Sequence, residues 1–244
     1  MLVQEYEKYS NTDHSVWSSL FTRQLQKVQQ VAYRNFIKGL QQLGFDHHKI
    51  PDFTDINKKL MELTGWQIYA VPGLIPNNHF FELMKSKKFG ATTWIRKPEQ
   101  LDYLEEPDMF HDVFGHIPLL TDPLIGDYLY ELSALAVKYI DNAEVIECIA
   151  RLYWYTIEFG LVKEDHQLKI YGAGILSSIG ETSFCLSNKA TLVPFDLDEI
   201  ITTPYIKENF QEKYFVLESF HQLSAAVKMY EQQLEMKAVG QAFS

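Results

Sequence analysis

Two histidines stand five positions apart in an otherwise apolar stretch. The segment EEPDMFHDVFGHIPLL, residues 105–120, contains His111 and His116, with Asp108 and Asp112 beside them. On an ideal α-helix this separation turns the second side chain about 140° from the first, so the two imidazoles would not share a face. The HExxH spacing of zinc proteases is absent as well. If these histidines hold a metal ion, the backbone here must depart from a regular helix.

Two residues in the same stretch provide such a departure. Gly115 weakens a helix, and Pro118 disfavours a helical conformation at Ile117. We therefore expect the helix to end here, so that His116 swings back toward His111. The carboxylates of the segment would then cap the helix start and favour its dipole.

Glu158, in RLYWYTIEFGL, is the third candidate ligand. Its neighbours Trp154, Ile157 and Phe159 predict a helix that is buried nearly all round. A carboxylate is costly there unless it is paired or bound to metal. Two histidines and one carboxylate leave three positions of an octahedral metal open, as in non-haem Fe(II) oxygenases. On the pattern alone, a purely structural role for these residues is an equal alternative.

Composition limits the remaining possibilities. The chain of 244 residues is 46% hydrophobic and 14% aromatic, which is enough for one large core. Its formal charge of −10 argues against binding to nucleic acid or to an anionic membrane. The N-terminus does not have the pattern of a signal peptide, and no apolar run is long enough for a membrane span. With two cysteines and no disulfide pattern, we expect a cytoplasmic protein.

Periodicity predicts a mostly helical protein with short strands and no alternating βαβ pattern. A polar lead-in, 1–15, precedes helical spacing from Val16 to about Leu43, which ends at Gly44. Further helices are predicted from Thr54 as N-cap to Gly65, from an Asn cap at 77–78, from Asp122 to about Ile140, from Asn142 through residue 162, after Gly174, and over about 218–236. Strands are predicted at 66–76, broken by Pro72 and Gly73, at 91–97, and before Gly172.

Three motifs together resemble one known family. EPDMFHDVFGHIPLL, RLYWYTIEFGL and IYGAGILSSIGE occur in the order and at the separations of the pterin-dependent aromatic amino acid hydroxylases. The resemblance runs from about Tyr6 to about Leu223, and it is greatest to the single-domain bacterial members that act on phenylalanine. It implies the catalytic-domain fold of that family, mostly α with short β-strands around a central cleft. We expect 1–244 to be one catalytic domain, with no regulatory domain, no tetramerisation tail and a monomeric state.

The resemblance also implies the reaction. Fe(II), a tetrahydropterin and O₂ together would hydroxylate the ring of phenylalanine to give tyrosine, a phenylalanine 4-monooxygenase activity. Alternatives are the same chemistry on tryptophan or tyrosine, a zinc-dependent hydrolase with the same ligands and Asp112 as base, and a helical binding domain with a structural metal.

Matching the motifs residue by residue assigns a role to each site position. Asp112 replaces the Glu of animal enzymes, and because its reach is shorter we expect its contact with the pterin to run through a water molecule. Asn77 replaces a hydroxyl residue of the pterin loop, so no direct pterin contact is assigned to it. Arg96 could instead form a surface ion pair, the two serines could cap helices, and Trp154 or Phe80 could be core, with Phe81 competing for the role of Phe80. The implied iron ligands are His111, His116 and Glu158; the implied pterin contacts are Gly73, Leu74, Ile75, Phe80, Asp112 and Tyr153; the implied substrate contacts are Arg96, which clamps the carboxylate, Trp154, Ser177 and Ser178.

Overall fold

The computed structural model describes residues 2–102, 104, 106–207 and 209–242. Helices dominate it, as the sequence predicts. The α-helices are α1 (Asn11–Val28), α2 (Arg34–Leu43), α3 (Phe53–Leu63), α4 (Asn77–Lys85), α5 (Pro123–Lys138), α6 (Ala143–Tyr153), α7 (Ala173–Leu176), α8 (Ile179–Cys185), α9 (Leu197–Thr202) and α10 (His221–Ala242). Two π-helices, Phe110–His116 and Trp154–Glu158, and short 3₁₀ turns at Tyr6–Lys8, Pro98–Gln100 and Ile117–Thr121 complete the helical part.

The strands form two small sheets. They are β1 (Gln67–Val71), β2 (Lys88–Thr92), β3 (Leu161–Glu164), β4 (Gln167–Ile170), β5 (Thr191–Pro194) and β6 (Lys213–Leu217). β1 and β2 are parallel and joined by α4, and β5 and β6 are parallel and joined by a connection that contains α9, so the described residues include isolated βαβ units but no alternating series of them. The second sheet has the order β4-β3-β6-β5, in which only the β3–β4 pair is antiparallel.

The sequence predicts one continuous helix from Val16 to Leu43, but the structure has two, α1 and α2. Residues between α1 and α2 pair with the end of β4: Tyr33 N–H donates to the carbonyl of Ile170, and Ile170 N–H donates to the carbonyl of Val31. Backbone groups used in this pairing cannot also serve a helix. The lead-in is shorter than predicted too, because a capping box of Ser10 and Asp13 starts α1 at Asn11.

Several other boundaries test the rules of capping. The predicted caps Asp122 and Asn142 are confirmed, and Gly44 ends α2 in the left-handed conformation. Thr54 is wrong as a cap, because Asp52 accepts the Thr54 N–H and α3 begins one residue before it.

The predicted strand at 91–97 stops at Thr92. Carboxylates beyond the strand accept the next free N–H groups: Asp112 takes that of Thr92, and Asp108 takes that of Arg96. The helix predicted from Asn142 through residue 162 is also too long, since the chain enters β3 at Leu161.

The first π-helix lies in the centre of the molecule. The rings of Phe110 and Phe114 stack on each other at 4.8 Å, and both are fully buried. Trp17 and Phe21 of α1 pack edge-on against them at 5.5 and 5.4 Å. This aromatic packing fixes the backbone that carries the two histidines.

Among the helices of the described ranges, none combines the length and the apolar character that a membrane crossing needs.

Candidate active site

Three side chains meet at one point. The Nε2 atoms of His111 and His116 lie 3.3 Å apart, and the carboxylate of Glu158 lies 3.6 and 3.2 Å from them. Among the described residues this is the cluster of histidine and acidic side chains with the spacing of a metal site. Donor atoms at adjacent positions around a metal, each about 2.1 Å from it, are about 3 Å apart. The three residues therefore fit a single metal ion.

The π-helices explain how residues five apart can converge. In Phe110–His116 the backbone closes i→i+5 turns, which places His111 and His116 almost above one another. The π-helix ends at His116, between Gly115 and Pro118 as expected, but Ile117 keeps helical dihedral angles and the chain continues as a 3₁₀ turn, so the expected non-helical conformation of Ile117 is wrong. Glu158 closes the second π-helix.

Glycine at position 115 allows the first π-helix to pack closely against α7. A Cβ atom at this position would lie 2.9 Å from the carbonyl oxygen of Ala173, so α7 could not pack as it does. This close approach brings Ser177, at the end of α7, to the back of His111.

Ser177 fixes the hydrogen-bonding state of His111. Its Oγ lies 2.9 Å from Nδ1 of His111 and donates its own hydrogen to the carbonyl of Ala173 at 2.8 Å. The serine oxygen is therefore an acceptor for the imidazole, and Nδ1 carries the proton. This tautomer leaves the lone pair of His111 Nε2 free for a metal ion.

Electrostatics favour the ligand form of His111 and of Glu158. Burial lowers the pKa of His111, which keeps the imidazole neutral. Burial alone would raise the pKa of Glu158, but His116 and His111 outweigh it and hold the pKa at about 2. The site thus presents two imidazole nitrogens and one carboxylate, the donor set of non-haem Fe(II) oxygenases.

A cavity of about 240 Å³ opens above these three residues. All six residues with an implied pterin role lie on its wall, namely Gly73, Leu74, Ile75, Phe80, Asp112 and Tyr153. Phe80 is half-buried and meets Tyr153 edge-on at 5.3 Å, whereas Phe81 is 2% exposed and belongs to the core. Both phenylalanines line the cavity, and Phe80 has the more exposed ring.

Asp112 faces the cavity from inside the first π-helix. Its Oδ2 accepts the backbone N–H of Thr92 at 2.8 Å, which ties the helix to the end of β2. Burial raises the pKa of this carboxyl. Asp112 is therefore no helix-start cap, and it stands within the cavity beside the three clustered side chains.

Residues with an implied substrate role divide into two groups. Trp154 lies on the cavity wall, whereas Arg96, Ser177 and Ser178 do not. Ser178 caps α8 by accepting the N–H of Glu181. The hydroxyl of Ser177 is engaged by His111 as described above.

Arg96 forms a buried two-pronged ion pair with Asp108. Its Nε and Nη2 donate to the two carboxylate oxygens at 2.9 and 2.8 Å, and its backbone N–H donates to the same carboxylate. Asp108 also accepts the N–H of His111, so its predicted capping contact exists. The ion pair of Arg96 is buried, whereas the sequence offered a surface ion pair as the alternative to the clamp. The arginine is 9% exposed, and Nη1 is the part of its fork that Asp108 leaves free.

Sequence reasoning missed part of the cavity wall. Tyr205 and Lys207 line it from the connection before β6, and Phe89 packs on the ring of His116 at 4.7 Å. Tyr205 stacks on Trp154 with a centroid distance of 4.7 Å. No periodic pattern marks the connection, and Phe89 looks like any strand residue, so the sequence offers no signal for these positions.

Comparisons with known proteins identify the family that this chain resembles. A family model described as biopterin-dependent aromatic amino acid hydroxylase matches residues 4–240. The phenylalanine-4-hydroxylase of Chromobacterium violaceum is 47% identical over 223 residues, which cover 91% of this chain and 75% of that protein. The corresponding enzyme of Pseudomonas aeruginosa is 45% identical over 215 residues, which cover 88% and 81%.

A solved structure agrees with the sequence comparison. The Chromobacterium violaceum enzyme with bound iron(III) and 7,8-dihydrobiopterin superposes with a TM-score of 0.90 at 46% identity, over 96% of this chain and 86% of that one. Both the family match and these relatives extend over nearly the whole sequence. The chain belongs to the biopterin-dependent aromatic amino acid hydroxylases.

Proposed function

We propose that this protein is a non-haem iron, tetrahydropterin-dependent monooxygenase that converts phenylalanine to tyrosine. The observation that carries the proposal is the convergence of His111, His116 and Glu158 beneath an aromatic-lined cavity. The relatives support the choice of substrate, since the curated proteins it matches at 40–47% identity are phenylalanine-4-hydroxylases. A solved structure of one of them carries iron and phenylalanine.

The three clustered side chains would hold Fe(II). Bound iron, with electrons from the tetrahydropterin, supplies the activation of O₂ that ring hydroxylation requires. The protein holds His111 in the tautomer that binds metal, by means of Ser177, and keeps Glu158 ionised. Phe89 packs on the ring of the buried His116, so this side of the site is closed to solvent.

The pterin ring would bind where Phe80 lines the cavity. A flat ring can stack on the half-buried phenylalanine, while the backbone at Gly73, Leu74 and Ile75 meets its polar edge. Asp112 would accept a hydrogen bond from the pterin, directly or through a water molecule. Tyr153 would close this end of the cavity, because its ring already contacts Phe80.

The amino-acid substrate would bind at the Trp154 end. We propose that its ring packs against Trp154 and that its carboxylate reaches Nη1 of Arg96, whose other donors are held by Asp108. Ser177 would act through His111. A direct substrate role for Ser178 stays a prediction, since its hydroxyl already caps α8.

We also propose the setting in which the enzyme works. One buried core includes residues from α1 to α10, which supports 1–244 as a single catalytic domain. The free thiols of Cys148 and Cys185 support a reducing, cytoplasmic environment. A net charge of −10 supports a monomer that binds no nucleic acid, and light scattering after gel filtration tests the monomeric state.

The activity is tested by reconstitution. Purified protein is loaded with Fe(II) without oxygen, then given a tetrahydropterin, O₂ and each aromatic amino acid in turn. We expect tyrosine from phenylalanine, in amounts that depend on iron and pterin. Faster hydroxylation of tryptophan would show that phenylalanine is not the preferred substrate, while the iron- and pterin-dependent reaction would still hold. Zinc-dependent hydrolysis of an ester or amide, with no pterin-dependent product, would overturn the proposal as a whole.

A further inference from the structure

Gln211 is a buried polar residue near the cavity. Both ends of its side-chain amide form hydrogen bonds. It precedes β6 and is 2% exposed. Its Oε1 accepts the indole N–H of Trp154 at 2.9 Å, and its Nε2 donates to the carbonyl of Ile206 at 2.5 Å. The backbone N–H of Gln211 donates to the buried carboxylate of Glu181. This residue therefore joins the second π-helix to the connection that carries Tyr205 and Lys207.

A second contact holds the start of that connection. The hydroxyl of Tyr155 donates to the carbonyl of Pro204 at 2.7 Å. Between the two anchor points, Tyr205 lies nearly parallel to Trp154, with an interplanar angle of 24°. Trp154 and Tyr205 thus form one continuous aromatic wall, and its two halves come from segments about fifty residues apart.

We propose that Gln211 is a positioning residue for the amino-acid substrate. Its acceptor end sets the orientation of the Trp154 indole, and its donor end holds the segment of Tyr205 at the same wall. An aromatic ring that binds against this wall requires both halves in register, because stacking depends on ring angle and offset. The inference rests on the proposed function, since it takes phenylalanine as the ligand of the wall.

The test replaces the amide with a side chain of similar length. In Gln211→Met, which keeps the volume and removes both hydrogen bonds, we expect the KM for phenylalanine to rise by roughly 5- to 20-fold. The kcat should stay within about twofold and the KM for the tetrahydropterin should not change, because the iron ligands are untouched. Calorimetric titration of the iron-loaded, pterin-free protein with phenylalanine should show the same weakening.

Gln24→Met is the matched control. Gln24 is 1% exposed and donates from Nε2 to Thr182 at 2.9 Å, away from the cavity wall. The same substitution there removes a buried amide and should lower thermal stability without raising the KM for phenylalanine. If Gln211→Met does not fold, Trp154→Phe is the second variant. It removes the indole N–H that donates to Gln211 and should also raise the KM for phenylalanine.

A double variant separates positioning from general destabilisation. Gln211→Met combined with Trp154→Phe should raise the KM by less than the product of the two single effects, because both act on one hydrogen bond. Equal KM values in Gln211→Met and Gln24→Met, or a loss confined to kcat, would overturn the inference alone. A wild-type enzyme that makes no tyrosine would overturn both the inference and the proposed function.

Discussion

The hydroxyl of Ser177 shows how much a single atom decides at this site. It bridges Nδ1 of His111 and the carbonyl of Ala173, so it sets which nitrogen of His111 faces the metal position. Partners of this kind commonly affect metal affinity by about 10- to 100-fold. The sequence motif points to Ser177 as a substrate contact, but its position behind the imidazole became evident only from the packing of α7.

Ser177→Ala should weaken iron binding by about 10- to 100-fold, because the imidazole loses the acceptor that fixes its tautomer. Equilibrium dialysis of Fe(II) under anaerobic conditions measures the change. Ser183→Ala is a suitable control, since Ser183 also donates to a carbonyl four residues earlier but contacts no histidine. Equal iron affinity in wild type and Ser177→Ala would contradict the tautomer argument.

Replacing Asp108 should lower the free energy of unfolding more than replacing Arg96. Asp108→Leu leaves a buried guanidinium and two backbone N–H groups without an acceptor, at a cost of about 3–5 kcal/mol in unfolding free energy. Arg96→Met leaves a carboxylate that still accepts both N–H groups, so it should cost about 1–3 kcal/mol. Urea denaturation of both variants tests the order, and equal costs would show that only the ion pair matters.

At the scale of elements, the sequence predicts most helices and two of the four proposed N-caps, but not the interruptions; Thr54 and the Asn at 77–78 do not cap, since α3 begins after Asp52 and α4 after Pro76. Asp122 and Asn142 act locally, through their own following N–H groups, and are therefore readable from the chain. The break between α1 and α2 depends on pairing with Ile170, well over a hundred residues away, so no local pattern marks it.

The same distinction applies to the site. Polar residues in apolar runs reveal His111, His116 and Glu158, because burial makes them costly unless they are used. Tyr205 reaches the cavity only through its contacts with Trp154, which the sequence does not display.

Gly115→Ala tests the contact between the first π-helix and α7. The added Cβ would lie 2.9 Å from the carbonyl oxygen of Ala173, so one element must shift, at a cost of about 1–3 kcal/mol. Gly73→Ala is the control, because nothing lies within 4 Å of its Cβ position and its stability should be unchanged or slightly higher. Thermal melts compare the two, and a neutral Gly115→Ala would show that α7 is free to move.

At the scale of the whole molecule, the candidate metal site joins parts of the fold that are distant in sequence. Its residues come from two π-helices, and Ser177 behind them comes from a third segment beside the second sheet. Metal bound there would hold these parts together, and an ion that binds only the folded chain adds its binding free energy to stability.

Iron should therefore raise the melting temperature. At about 100 times its dissociation constant, Fe(II) contributes about 2.7 kcal/mol, or roughly 5–10 °C for a protein of this size. Anaerobic melts with and without Fe(II) measure the shift, and a chelator should reverse it. The shift should vanish in His116→Ala and persist in His47→Ala, an exposed histidine elsewhere. A shift retained in His116→Ala would place the metal at another site.

The two π-helices also make the candidate metal site sensitive to chain length. Each i→i+5 turn contains one residue more than an α-helical turn would need. Deleting a single residue between His111 and His116 would let an ordinary α-helix form, in which the two histidines, then four positions apart, still share a face. Such a deletion would improve the local helix but move the second imidazole relative to Glu158, so we expect it to weaken metal binding while the two histidines stay side by side.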